Sequence, residues 1–208
     1  MLHVETVESG TFSLLRKLMQ IPELSNFALV GGTALTLLYG HRKSIDLDLF
    51  STVPFNPESV VEALKNNFPD SFENRTSNPR IGVFCFIEDI KTDFIHHSYP
   101  LLQPMLLEEG VRLFSTEDIL AMKVQAIFGR AKKKDFWDIA ELLHHYSISD
   151  LISCHEEKYR QQNLLISIPQ AITYFKDADE SEDPVSLKGE NWEQIKKLIS
   201  EKVRIFLQ

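Results

Sequence analysis

The sequence predicts an α/β (α+β) chain: a small mixed β-sheet within residues 1–114 and an α-helical C-terminal region, residues 115–208, packed against it. Three observations carry that expectation. Phe27–Ser51 reads as strand, glycine pair, helix, glycine, strand; short runs rich in β-formers and bounded by turn residues continue to Phe114; and from Ser115 apolar residues recur at helical spacing.

Taken in order, Thr11–Gln20 carries Phe12, Leu14, Leu15 and Met19 at helical spacing and stops before Pro22. A strand over Phe27–Val30 meets Gly31 and Gly32, a short helix follows from Thr33 to Tyr39, Gly40 ends it, and a second strand covers Ile45–Phe50. Pro57–Asn67 is a helix with Pro in its first turn and Val60, Val61 and Leu64 inward. Ser71–Arg75, Ile81–Ile87 and Lys91–His96 are strands, the last two a hairpin turning at Glu88 and Asp89. Tyr99–Glu109 holds two prolines and reads as a loop before a strand over Val111–Phe114.

The second half is helical. Ser115 caps a helix with acids in its first turn that ends near Gly129, and Lys132 begins the next, which carries Phe136, Trp137, Ile139 and Leu142. Ser149–Arg160 and Ser167–Phe175 follow, the latter with Pro169 in its first turn. Asp177–Pro184 is acidic and reads as an exposed loop. A last helix from Asn191 buries Trp192, Ile195, Leu198, Ile199, Val203 and Phe206.

Composition narrows the function classes. A chain of 208 residues with 43% hydrophobic and 25% charged residues builds one sizeable core or a compact domain with a helical appendage. No apolar run reaches membrane-spanning length, and Met1–Gly10 lacks a basic stretch followed by an apolar one, so the expected compartment is the cytoplasm. Cys85 and Cys154 stand far apart, without the spacing of a zinc site or a disulfide framework. The net charge of -8 excludes unspecific coating of nucleic acid but leaves room for a local basic patch.

Chemistry concentrates in Phe27–Ser51. Alternation on a strand puts Asp46 and Asp48 on one face while Ile45, Leu47 and Leu49 face the core. Two carboxylates so close raise each other's pKa unless a cation sits between them, and a hard divalent ion with oxygen ligands, Mg²⁺, suits them best. Gly31 and Gly32 allow close approach of the backbone to a ligand, and the helix starting near Thr33 aims N–H groups and its positive dipole end into the same space, as a nucleoside triphosphate requires. On a bland reading the glycines are a tight turn and the aspartates the wet face of an edge strand.

Gly31-Gly32-Thr33, Gly40-His41-Arg42, Ser44, Asp46-x-Asp48 and Leu49-Phe50 together resemble the signature of the AbiEii/AbiGii toxin family, in the DNA polymerase β-like nucleotidyltransferase superfamily. The resemblance extends to Ala121-x-Lys123 and Arg130-x-x-x-Lys134-Asp135-x-x-Asp138, and to the Trp192-led terminal helix. It implies a third acid on a neighbouring strand, for which Asp93 stands in the right place; the plain alternative is an exposed acid balancing Lys91. It also implies that Lys123 and Asp135 belong to the active site, where Lys123 grips the nucleotide and Asp135 orients Lys123 or accepts a proton. The competing expectation is a surface salt bridge between them, with Asp138 supporting Arg130 or a backbone group.

The implied activity is transfer of NMP from an NTP to an acceptor hydroxyl, with two Mg²⁺ ions on Asp46, Asp48 and Asp93. Gly31, Gly32 and Thr33 hold phosphates, Ser44 adds a hydrogen bond, and Arg42 supplies charge or braces the loop. The implied setting is the toxin of a toxin-antitoxin or phage-defence pair, with a cognate antitoxin and RNA, tRNA above all, as acceptor. Arg130–Lys134, the densest basic cluster, is the expected RNA contact. The alternatives are an aminoglycoside-type small-molecule nucleotidyltransferase and a catalytically silent nucleotide- or partner-binding module.

Overall fold

A computed structural model describes residues 1–208. Its elements, in order, are α1 Ser9–Gln20, β1 Ala28–Val30, α2 Gly31–Tyr39, β2 Leu47–Ser51, α3 Pro57–Asn67, β3 Phe72–Asn74, β4 Gly82–Ile87, β5 Ile90–His96, β6 Leu106–Glu108, β7 Val111–Leu113, α4 Thr116–Gly129, α5 Lys133–Leu142, α6 Ile148–Lys158, α7 Ile168–Ile172 and α8 Trp192–Phe206. The seven strands form one mixed sheet in the order β3-β4-β5-β2-β1-β7-β6. β2 runs antiparallel to β1 and parallel to β5, and β1 runs parallel to β7.

Alternation sorts the central strands. On β2 and β5, Leu47, Leu49, Thr92 and Phe94 are fully buried, while Asp48, Asp93 and Ile95 take the opposite face. The core is continuous: Leu29 and Phe94 of the sheet join Leu120 and Ile139 of α4 and α5 in one cluster of 49 buried residues. Truncating one of these, as in Leu49→Ala, costs roughly 2–5 kcal/mol.

Local chemistry sets the element ends. Ser115 and Asn191 cap α4 and α8 through their side chains, and Gly40, at φ 68°, closes α2 in the left-handed region that suits glycine. Arg112 on β7 donates to the carbonyls of Met19, Leu24 and Phe27, and so ties the sheet to the end of α1. A buried Lys158–Asp118 pair at 2.6 Å joins α6 to α4.

Several expectations need correcting. Ile45 is 61% exposed, because β2 begins only at Leu47, where β5 first offers a partner. The expected loop over Tyr99–Glu109 contains β6, paired with β7 through a turn at Glu109 and Gly110. Both turn residues have positive φ, and Glu109 at the first position hides the glycine signal of such a hairpin. α7 stops at Ile172, Leu198 is only half-buried, and Phe206 is 41% exposed where α8 outruns the body. The acidic loop is not simply exposed: Ala178 is fully buried, and Asp179 accepts from the Trp192 indole at 2.7 Å.

Candidate active site

The parallel pairing of β2 with β5 puts Asp48 directly beside Asp93, and the antiparallel pairing of β2 with β1 puts Asp48 beside Val30, the residue before α2. Asp46 lies two residues earlier and on the same side. All three acids line one cavity of about 610 Å³, together with Gly31, Gly32 and Lys123. Ile45 is absent from it.

The charges on this wall are poorly compensated. Burial first, then the Asp93 charge, with a smaller push from Asp46, hold the Asp48 carboxyl above its ordinary value against the opposing pulls of Lys91 and Lys123. Asp93 is nearly buried; Lys91 Nζ donates to its Oδ2 at 2.6 Å, and its Oδ1 is buried without a partner. Lys134 Nζ lies 3.9 Å from Asp46 Oδ2. A set of carboxylate oxygens, one of them orphaned, fits a hard divalent cation in donor type. The acids do not yet converge on one point: no group of three acids, histidines or cysteines encloses an ion, and two of the three carboxylates lean on lysines.

Beside Asp48 stands the start of α2. Its N-cap is Val30, whose side chain caps nothing, so the first-turn N–H groups of Gly31, Gly32 and Thr33 remain available along the cavity wall. Gly31 has φ 72°, and a Cβ there would stand 2.8 Å from Asp48 Oδ2; one on Gly32 would collide with Arg42 Nη2. Thr33 is buried, and its hydroxyl donates to the Asp46 carbonyl. That leaves Ser44 Oγ, 2.8 Å away, to donate to Thr33. Both hydroxyls are thus spent on holding the segment that carries Asp46.

The third wall comes from α4 and α5. Lys123, 4% exposed, lines the cavity, and its ammonium meets Asp138 Oδ2 at 2.6 Å and Asp135 Oδ1 at 3.1 Å. Arg42 forks onto Asp138 through Nε at 2.7 Å and Nη2 at 2.9 Å, and the His41 ring donates to the same carboxylate at 2.7 Å. Arg130 grips Asp135 with two bonds of 3.0 and 3.1 Å. Burial would raise the Asp138 carboxyl, but Arg42, Lys123 and the His41 bond outweigh it and hold it well below its ordinary value. Asp135 is lowered too, since Lys123 and Arg130 overcome its burial.

These contacts revise three expectations. Asp138 supports His41, Arg42 and Lys123 rather than Arg130, because it lies a turn deeper in α5, beside the α2–β2 connection, while Arg130 reaches the first-turn Asp135. The Lys123–Asp135 pair is buried, so the small contribution of a surface bridge does not apply to it. Asp135 lies behind Lys123 and lines no part of the cavity, a place for positioning Lys123 rather than for meeting an acceptor. Arg42, likewise, is spent as a brace: 3% exposed, doubly bonded to Asp138 and donating to the Lys43 carbonyl.

Sequence reasoning missed Lys91, Arg130 and Lys134 as cavity residues. For Lys91 a signal existed, since two residues before Asp93 on one strand is the same face. The basic cluster is also divided: Lys133 turns away to Asp183 at 2.7 Å, while Lys132 and Lys134 remain on the cavity rim. His97, the residue after β5, is buried among Phe50, Tyr99 and Phe114.

The family described as Nucleotidyl transferase AbiEii toxin, Type IV TA system, matches residues 13–205. The chain belongs to this family. It is accordingly a nucleotidyltransferase of an AbiEii toxin lineage. An uncharacterized protein of Aquifex aeolicus (strain VF5) is 30% identical over 200 residues, covering 93% of this chain and 94% of that protein. Among solved structures, MenT4, a nucleotidyltransferase toxin of Mycobacterium tuberculosis H37Rv, aligns with TM-score 0.62 at 12% identity over 97% of this chain and 86% of its own. JHP933 of Helicobacter pylori aligns with TM-score 0.59 at 20% identity over 96% and 92%. Both structural likenesses are of fold, and the mixed sheet with its helical second half is the fold this AbiEii chain shares with them. No helix of it is long and apolar enough to cross a membrane.

Proposed function

We propose that this AbiEii-family enzyme is a Mg²⁺-dependent nucleotidyltransferase that moves NMP from an NTP to a hydroxyl of RNA, tRNA in the first instance, as the toxin of a cytoplasmic toxin-antitoxin or phage-defence pair. The observation that carries the reading is the register of Asp48 with Asp93, on one cavity wall beside the uncapped start of α2. Asp46, Asp48 and Asp93 would hold two Mg²⁺ ions, whose chemistry there is to neutralise the triphosphate and lower the pKa of the attacking hydroxyl. Gly31, Gly32 and Thr33 bind phosphate through backbone N–H groups, and Lys123 meets it with an ammonium kept in place by Asp135 and Asp138. The acceptor oxygen bonds to the α-phosphorus as the bond to the β-phosphate oxygen breaks and pyrophosphate leaves. Asp93, which lines the cavity, would take the acceptor's proton. With the chain divided at residue 114, the cavity lies between the acids of the first part and Lys123 of the second.

RNA is favoured as acceptor because Lys132, Lys134 and the half-exposed Arg130 side chain rim the cavity. A neighbouring cavity of about 650 Å³ carries Asp46, Glu180, Glu182 and Asp183 but equally Arg42, Lys43, Lys132 and Lys134, so it offers no acidic pocket to a cationic small acceptor.

The test is incubation with each α-labelled NTP, Mg²⁺ and total RNA. Wild type labels RNA, and Asp48→Ala loses at least about a hundredfold in rate, as removal of a preorganised charge-stabilising group does. Equal labelling by both proteins contradicts the metal assignment. No RNA labelling, with transfer to an aminoglycoside, favours the small-acceptor reading; transfer to neither leaves a nucleotide- or partner-binding module.

A further inference from the structure

Lys91 and Asp93 leave the same face of β5, and the Lys91 ammonium reaches across to Asp93 Oδ2 at 2.6 Å. The two partners are unequal: the Lys91 side chain is 46% exposed and that of Asp93 10%. Lys91 is therefore a half-exposed cation resting on a nearly buried anion at the edge of the cavity. Across the cavity Lys134 approaches Asp46, and Asp48 stands between the two paired acids with its charge unrelieved. The protein thus places its own ammonium on one of the three carboxylates that suit a divalent ion, and no three acids converge while it is there.

We propose that Lys91 is a displaceable counter-ion of the carboxylate site: it neutralises Asp93 in the metal-free protein, yields to the incoming divalent cation, and so sets how tightly that cation is held. The proposal rests on the metal reading above. Its physical basis is competition for one carboxylate. Two cations cannot share the Asp93 charge at full strength, so part of the metal's binding free energy is spent on releasing the lysine and on repulsion from it. Half-exposed ion pairs are weak, which makes Lys91 easy to displace, whereas the buried Lys123 is held by two aspartates and stays.

The experiment titrates the full-length protein with Mn²⁺, without nucleotide, and follows the free-ion signal by electron paramagnetic resonance for wild type, Lys91→Met and Lys91→Gln. Both variants should bind Mn²⁺ roughly two- to fivefold more tightly than wild type, the effect of losing one weak competing ion pair. In EDTA both should melt below wild type and regain the difference on adding Mn²⁺, because the acids are then left without their counter-ion. Affinity equal to or weaker than wild type overturns the proposal while the metal reading stands. Absence of Mn²⁺ binding in all three proteins overturns both. Circular dichroism of each variant, with Lys91→Gln retaining a polar side chain, separates an effect on the site from a loss of fold.

Discussion

On the α4–α5 side of the cavity every buried charge has a partner. Asp138 receives Arg42, Lys123 and His41, and Asp135 receives Lys123 and Arg130. On the sheet side of the same cavity, Asp48 is pushed above its ordinary value, Asp93 keeps an orphaned oxygen, and Lys91 and Lys134, which lean on this wall, are half-exposed. Both walls carry aspartates and lysines, yet one is finished without a ligand and the other is not. The difference separates scaffolding from machinery: a charge whose partners are all supplied by the fold stabilises the fold, and a charge left short is where a ligand completes the structure.

Replacing Asp138 with Asn tests that comparison with the largest expected effect. It leaves Arg42 and Lys123 buried and short of a counter-charge, so denaturant unfolding should show a loss of roughly 3–5 kcal/mol. A loss below about 1 kcal/mol would make the helical wall no more built than the sheet wall.

The pH dependence of stability comes next. Asp138 is held well below its ordinary value, so its contribution is present above the unfolded carboxylate pKa and is lost only as pH falls through the depressed folded value. Stability lost at milder acidity has another origin. Burial lowers His97 and His155 to about 4. Both stay neutral in the folded chain while the unfolded chain takes up protons near pH 6.5, so stability falls as pH drops from about 6.5 to about 4, by up to roughly 1.4 kcal/mol per pH unit for each histidine. His97→Phe should remove one such slope from a series of melts across that range. An unchanged slope would show that His97 is hydrated or charged in the folded state.

The smallest effect belongs to Lys134→Met. Its 3.9 Å approach to Asp46 is at the limit of an ion pair and half-exposed, so stability should move by less than about 1 kcal/mol, while RNA labelling falls and becomes less sensitive to salt. A salt response matching wild type would remove Lys134 from the acceptor side.

How far the sequence revealed this arrangement depended on the range of the interactions. The sheet wall is written in alternation and in glycine, both local, so Asp46, Asp48, Gly31, Gly32 and the start of α2 are legible within a stretch of 25 residues, Phe27–Ser51. Asp93 needed the neighbouring strand, and its register with Asp48 follows from a crossover connection through α3, β3 and β4 that no local pattern specifies. The helical wall was legible as residue types and not as pairings. His41 and Arg42 meet Asp138 across nearly a hundred residues, and a helix spacing of three says only that Asp135 and Asp138 lie on neighbouring faces. β6 was missed because prolines at 100 and 104 mark a loop and the turn at Glu109 carries its positive φ without glycine.

The most direct measurement is the melting temperature of wild type and Asp48→Asn, each in EDTA and with Mg²⁺ plus a mixture of NTPs. A carboxyl whose folded pKa is raised destabilises the fold wherever it is ionised, above its unfolded value, so at neutral pH and without metal the Asn variant should melt higher than wild type. Mg²⁺ and NTP should then raise wild type and leave Asp48→Asn close to where it began. An Asn variant that melts lower in EDTA and gains as much from Mg²⁺ and NTP as wild type would contradict the claim that this wall is left unfinished for a metal-bound nucleotide.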